Sequence, residues 1–185
     1  MRITSGDLRG RVLKAPEGSN TRPTTDKVRQ ALFNMMRARL DSDFDNVVVL
    51  DAFAGSGALG FEALSNGAHH VVFFDKDYQA LTTIKENAAL LKCTERCRFK
   101  KNDITRYDFS KADGSFGLVF LDPPYGQGLV VKTLDHLHEA HVLQQDALVV
   151  IEMDAGQEEV LPDYIHELSV KQYGRISLKL CRYQR

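Results

Sequence analysis

Leu118-Val119-Phe120-Leu121 is an uninterrupted apolar run, and Asp122-Pro123-Pro124-Tyr125-Gly126 follows it directly. Four apolar residues in a row suit a strand buried on both faces of a parallel sheet. The two prolines end it, because neither can donate to a sheet ladder and each restricts the residue before it. A carboxylate is thereby left at the strand's carboxyl end, with a rigid turn and an aromatic ring beside it. In an open α/β sheet that is where ligands sit. An ordinary surface turn after a proline-terminated strand would use the same residues without any chemistry.

A second stretch shares this logic. Val47–Leu50 is apolar and runs into Asp51-Ala52-Phe53-Ala54-Gly55-Ser56-Gly57-Ala58-Leu59-Gly60. Glycines after a buried strand let the chain turn tightly and let backbone N–H groups approach a ligand. The spacing satisfies G-x-G-x-x-G, and Asp75 closes the next apolar run 20 residues after Gly55, so a dinucleotide-binding fold has to be weighed. Asp51 argues against it, since a carboxylate at the mouth of this loop would face a pyrophosphate in a partly dry site. S-adenosylmethionine (SAM) carries no phosphate and presents an ammonium and a sulfonium, which an acidic mouth attracts. The absence of Gly-Lys-Ser/Thr also excludes a P-loop. Asp75 is suited to accept hydrogen bonds from both ribose hydroxyls, and Asp103, after Asn102, to read the adenine amine. Either acid could instead cap a helix.

Asp-Pro-Pro-Tyr resembles the signature of SAM-dependent methyltransferases that modify an exocyclic amine on a nucleobase. Such an amine shares its lone pair with the ring and is a poor nucleophile. Hydrogen bonds from its N–H groups to Asp122 and to the carbonyl of Pro123, held by the Pro124 ring, would free that lone pair. Tyr125 would stack on the base and fix its plane.

These groups need a scaffold, and the chain alternates strand, turn and helix from Val47 onward. Apolar runs at Val47–Leu50, Val71–Phe74, Leu118–Leu121 and Ala147–Ile151 predict strands, with a further one at Arg96–Lys101. Helical patterns cover Ala58–Ser65, Tyr78–Leu91, behind Asp77 as N-cap, and Leu129–His138. That alternation implies a doubly wound, mostly parallel sheet with helices on both faces. Tyr164–Tyr173 and Arg175–Tyr183 form a closing hairpin that would put an antiparallel strand at the sheet's edge. Before the sheet, residues 2–14 predict a short β-hairpin, and Thr24 or Thr25 caps a helix running to about Leu40. The chain thus divides into a basic extension, 1–40, and a sheet domain, 41–185.

The 185 residues suit one core, with 43% hydrophobic and 26% charged residues. Neither an apolar run of membrane-spanning length nor a signal-peptide pattern occurs. The three cysteines, Cys93, Cys97 and Cys181, form no Cys-x-x-Cys pair. His136, His138 and His141 are assigned to a solvated helix face, so no metal is expected. A cytoplasmic protein with reduced thiols follows. The formal charge of −1 conceals an asymmetry: residues 1–40 hold nine Lys/Arg against three acids, +6, which leaves −7 on the remainder. A basic end on an acidic body points to a polyanion met through the N-terminus, with Arg9, Arg11, Arg22 and Arg29 as contacts. Arg29 could instead form a structural pair on its helix.

The whole pattern is similar to the RsmD family of bacterial rRNA methyltransferases. The resemblance runs through Arg2-Ile3, Arg9-Gly10-Arg11, Arg22-Pro-Thr-Thr-Asp-Lys-Val-Arg29, Ala31-Leu-Phe-Asn34, the glycine stretch 50–60 and Leu121–Gly128. It implies a class I SAM-dependent, Rossmann-like fold of seven strands with the last antiparallel. It further implies methylation of the N2 amine of guanine 966 in 16S rRNA, presented by the small ribosomal subunit or its assembly intermediate. The cofactor set expected is Asp51, Phe53, Ala54, Gly55, Gly57, Asp75, Lys76, Asp103 and Ile104, the catalytic set Asp122, Pro123, Pro124 and Tyr125, and the protein a monomer. The competing readings are an adenine-N6 methyltransferase acting on DNA or RNA, which shares Asp-Pro-Pro-Tyr, and a non-catalytic RNA-binding module. Only about 40 residues lie outside the sheet and its helices, little for a DNA-recognition region. Intact Asp51, Asp75 and Asp122 argue against a decayed enzyme.

Overall fold

Alternate residues of the buried strands separate into two apolar layers in the computed structural model, which describes residues 1–16, 25–39, 44–157 and 159–185. Val49, Phe73, Leu118, Phe120 and Val150 face one side. Their chain neighbours Leu50, Phe74, Val119, Leu121 and Ile151 face the other. A strand turns successive side chains to opposite faces, so a run apolar at every position has to be covered twice.

Seven strands among the described residues make one sheet: β1 (Val48–Asp51), β2 (His70–Asp75), β3 (Cys97–Lys101), β4 (Phe116–Leu121), β5 (Leu143–Asp154), β6 (Ile165–Tyr173) and β7 (Ile176–Tyr183). Their order is β3-β2-β1-β4-β5-β7-β6. Pairings from β3 through β5 are parallel, whereas β7 is antiparallel to both β5 and β6. Helices α1 (Asp26–Arg37), α2 (Ala58–Ser65) and α3 (Tyr78–Leu90) cover the first face through residues such as Phe33, Phe61 and Ile84. Helix α4 (Leu129–Glu139) covers the second with Val130, Leu134 and Leu137.

The expected doubly wound sheet is therefore present, with one correction in its order. The antiparallel strand is not at the edge; β7 lies inside β6 and separates it from β5. Strand β5 also begins before Ala147 and continues past Ile151 to Asp154. Thr25 caps α1, its hydroxyl accepting from the Val28 N–H at 3.4 Å, and the helix ends at Arg37 rather than near Leu40. Asp77 caps α3 as expected, accepting from the Gln79 N–H at 2.8 Å.

The N-terminal hairpin is held more by the sheet domain than by itself. Among the described residues its only strand-type pairing is the bridge Arg2–Val12, so residues 2–14 form a tied loop instead of two strands. Glu62 of α2 accepts the Thr4 N–H at 2.6 Å. Asn87 of α3 accepts the Lys14 N–H at 2.9 Å and donates to the Lys14 carbonyl at 3.0 Å and to that of Ser56 at 3.2 Å. Polar groups buried under a loop need such partners, and these place the hairpin beside the glycine loop. The histidines of α4 also depart from expectation. His136 meets the Tyr107 carbonyl at 2.7 Å and His138 stacks on Tyr164 with ring centres 4.1 Å apart, so both are half-buried, and of the three only His141, past the end of α4, is exposed.

Candidate active site at the carboxyl ends of the central strands

Strand order reverses between β1 and β4, and the crevice outside their carboxyl ends is where a doubly wound sheet binds ligands. An acid stands at or near the carboxyl end of each strand there. In spatial order these are Asp75, the last residue of β2, Asp51, the last of β1, Asp122 just past β4 and Glu152 near the end of β5. The register Leu121–Ile151 sets Asp122 and Glu152 level on neighbouring strands.

Asp51 is 2% exposed, and its Oδ2 accepts the Gly60 N–H of α2 at 3.0 Å. Burial pushes its carboxyl up to about 7; the Gly60 hydrogen bond opposes this and the charge of Asp75 adds to it. Between them the glycine loop turns on Gly55 and Gly57, at φ +53° and +77°. A Cβ added at Gly55 would meet nothing within 4 Å, so the backbone there is approachable. At Gly60 a Cβ would lie 2.3 Å from the Phe73 ring, which makes the third glycine a packing requirement between α2 and β2.

Asp75 is more structural than expected. One carboxylate oxygen accepts the Gly55 N–H at 2.9 Å and the other the Asp77 N–H at 2.9 Å, tying the glycine loop to the β2–α3 turn. Each oxygen has two lone pairs, so these bonds use half its accepting capacity. Asp103 is an N-cap, accepting from the Thr105 N–H at 3.0 Å and its hydroxyl at 2.7 Å. The Thr105 hydroxyl chiefly holds its pKa below the ordinary value. Ile104 is buried in the core with Phe74 and Leu50, so only its backbone can serve a ligand. Phe53 is half-buried, Ala54 buried and Lys76 exposed on the same rim.

The turn after β4 carries the remaining groups. Asp122 is half-buried, and burial drives its carboxyl well above the usual range, followed by the charges of Glu152 and Asp51. Pro123 is buried and Pro124 exposed. Tyr125 is 45% exposed, and its hydroxyl donates to Glu152 Oε1 at 3.3 Å. Burial, then the carboxylates of Glu152 and Asp122, push the phenol above its ordinary pKa.

Glu152, 3% exposed, is absent from the sequence-based set. The signal was there: Leu148-Val149-Val150-Ile151 is an apolar run ended by an acid, as are the runs before Asp51, Asp75 and Asp122. Among the RNA candidates, Arg9 and Arg11 are exposed on the N-terminal loop, and Arg22 lies outside the described residues. Arg29 is a correction. It is 1% exposed, donates to the Arg2 carbonyl and to Asp26, each at 2.6 Å, and lies 3.6 Å from buried Glu62. A buried guanidinium cannot reach a phosphate. Among the described residues no group of three or more His, Cys, Asp or Glu could hold a metal ion, and no helix is long and apolar enough to cross a membrane.

A seven-stranded sheet with an antiparallel β7, a glycine loop after β1 and Asp-Pro-Pro-Tyr after β4 define a class I methyltransferase fold. Solved structures agree: the Escherichia coli protein yhhF superposes with a TM-score of 0.84 at 31% identity, covering 100% of this chain and 98% of that one. A family model described as "Conserved hypothetical protein 95" matches residues 1–182, and the chain belongs to that family, RsmD. Ribosomal RNA small subunit methyltransferase D of Haemophilus influenzae is 34% identical over 183 residues, 97% of this chain and 92% of the relative. YlbH of Bacillus subtilis is 41% identical over 170 residues, 91% and 89% of the two chains.

Proposed function

We propose that the protein transfers the methyl group of SAM to the N2 amine of guanine 966 in 16S rRNA, during assembly of the small ribosomal subunit. The observation that carries this reading is Asp122-Pro123-Pro124-Tyr125 standing next to the Asp51 glycine loop at the reversal point of the sheet. The residues fit the cofactor. The backbone at Gly55 is approachable, and the acids around it suit a cation while repelling a pyrophosphate. When bound, SAM supplies an electrophilic methyl on a positively charged sulfur. That charge favours ionised Asp51 and Asp122, lowering pKa values that burial has raised.

Asp122 then accepts one N–H of the target amine and the Pro123 carbonyl the other, which concentrates the nitrogen lone pair. Tyr125 covers the face of the base. An amine that took up the methyl would become cationic, and the nearby Asp122 carboxylate would be worth most at that moment. The surplus proton leaves through Asp122 or to water. Residues 1–40 supply the phosphate contacts, through Arg9, Arg11 and Arg22, while 41–185 carry the chemistry, in a cytoplasmic monomer. A net charge of +6 on the first part and −7 on the second supports this division.

The test is incubation of the purified protein with labelled SAM and small subunits from cells lacking the gene, followed by nucleoside analysis and mapping. N2-methylguanosine at a single site is expected. N6-methyladenosine, or transfer to DNA instead, would overturn the reading.

A further inference from the structure

The two edges of the sheet meet the same hazard in different ways. An edge strand presents unpaired backbone groups, and charged side chains keep it from joining other chains. Strand β6, at one edge, does this with one charge of each sign, Glu167 and Lys171. Strand β3, at the other, carries Arg98, Lys100 and Lys101 and no acid. Residues 92–101 hold five Lys/Arg against one acid, +4, which leaves −11 on the rest of the acidic body. Guarding an edge accounts for charge on β3 but not for a single sign of it.

Most of that charge also stands without a carboxylate. Among the described residues only Lys100 of this stretch has one, Asp113 at 2.7 Å. Arg98 is exposed and donates to the Ala112 carbonyl. Lys101 is exposed, with its Nζ 5.3 Å from the centre of the Tyr78 ring. Lys85 of α3 lies in the same way over Phe99, at 5.8 Å. Carbonyls and ring faces steer a cation without cancelling its charge. That charge is felt within the sheet, where His70 of β2 is held below its ordinary pKa first by burial and then by Arg98. Tyr78 itself is 68% exposed, an aromatic ring open to stacking on a base.

The place suits a long polyanion bound at the crevice. Lys101 ends β3 level with Asp75, so the cations lead up to the rim that holds the glycine loop. Three strand spacings, about 14 Å, separate β3 from β4, the strand before Asp122. Helix α3 joins this edge to the N-terminal loop, since its Glu86 and Asn87 bind Lys14 while its Lys85 lies over Phe99. We propose that the β3 edge, with Arg98 and Lys101 as its contacts, is a second binding surface for the phosphates of ribosomal RNA, besides the N-terminal loop. This rests on the rRNA reading above. Two surfaces joined through α3 fix the orientation of the RNA as well as its attachment, and phosphate contacts serve that purpose.

The experiment measures the affinity of the protein for small ribosomal subunits against salt concentration. Arg98→Ala with Lys101→Ala should lower the log–log slope by about 1–2 and leave SAM affinity unchanged. Arg98→Lys with Lys101→Arg, which keeps both charges, should keep the wild-type slope. Adding Arg9→Ala and Arg11→Ala to the alanine pair should lower the slope by about 2–4 in all, because the two surfaces act independently. An unaltered slope in the Arg98/Lys101 pair, with the Arg9/Arg11 pair still flattened, would overturn the β3 surface alone. Self-association of that variant in light scattering, again with an unaltered slope, would mark its cations as edge guards only. A second measurement needs no variant: lysines of the wild-type protein are acylated with a succinimidyl ester, with and without subunits. Subunits should protect Lys101 and leave Lys171, exposed on β6, reactive. Equal labelling of Lys101 in both conditions would refute the contact. A wild-type protein that transfers no methyl to rRNA would remove the rRNA reading and this inference together.

Discussion

Replacing Asp51 with Asn should make the ligand-free protein more stable, and increasingly so as pH rises. The Asp51 carboxyl is 2% exposed, and burial lifts its pKa from the ordinary 3.8 to about 7. The folded state therefore holds a proton that the unfolded chain releases. Stability from the neutral acid is fully present below the unfolded value and is lost as pH climbs from there through about 7. A shift of roughly three units corresponds to about 4 kcal/mol, and about 3 kcal/mol of that change falls between pH 5 and pH 8. The Asn side chain does not titrate, and its amide oxygen can still accept the Gly60 N–H. Urea unfolding of both proteins at pH 5 and pH 8 reads the effect. The stability gap should widen by about 3 kcal/mol at the higher pH, while SAM affinity falls because the cation loses its counter-charge. A gap that is constant with pH would show that Asp51 is not held protonated by burial, and the electrostatic account of the glycine loop would fail with it.

The remaining expectations concern the neighbouring residues. Asp122→Ala should keep SAM affinity within a few-fold by calorimetry but lower the transfer rate by about 10²–10³. In the wild-type enzyme the rate should fall on acidification with a midpoint above the ordinary carboxylate range, since the accepting form of Asp122 is lost below its raised pKa. Gly60→Ala sets a methyl 2.3 Å from the Phe73 ring, so thermal melts should show a net loss of about 1–2 kcal/mol despite the better helix propensity of alanine. Arg9→Ala with Arg11→Ala should reduce the log–log salt slope of subunit binding by about 1–2 and leave SAM binding intact. Arg29→Ala should instead leave that slope unchanged and destabilise the fold by about 3 kcal/mol or more, because it strands Glu62, which has no exposure, without its cation.

What the sequence disclosed and what it concealed divide along the range of the interactions. Asp51, Asp75 and Asp122 were legible because each ends an apolar run, and the alternation of runs with helical patterns dictates a parallel sheet. Glu152 obeys the same rule but lies beyond the expected strand Ala147–Ile151, which stops three residues short of the strand's end at Asp154. The order of β6 and β7 was not legible: a hairpin pattern fixes their mutual pairing but not which of the two faces β5. Arg29 looks like a member of a basic segment, and its burial depends on the Arg2 carbonyl and on Glu62, 33 residues further along the chain. His138 is similar, since its stacking partner Tyr164 belongs to a segment that periodicity treats separately.

The position of β7 bears on how the protein is made. Synthesis delivers the strands in numerical order, so β6 emerges with no neighbour to join, because its only partner among the described strands is β7. The outer edge of β5 is bare over the same interval, and the stretch from Leu148 to Asp154 that later pairs with β7 is largely apolar. An unpaired edge of that kind invites association between nascent chains. One eight-residue strand then closes both gaps together. Leu178 arrives opposite Glu152 in the same step, which fixes the backbone carrying the fourth acid of the crevice. The strand that carries the crevice's fourth acid thus has both of its neighbours only once the last strand docks.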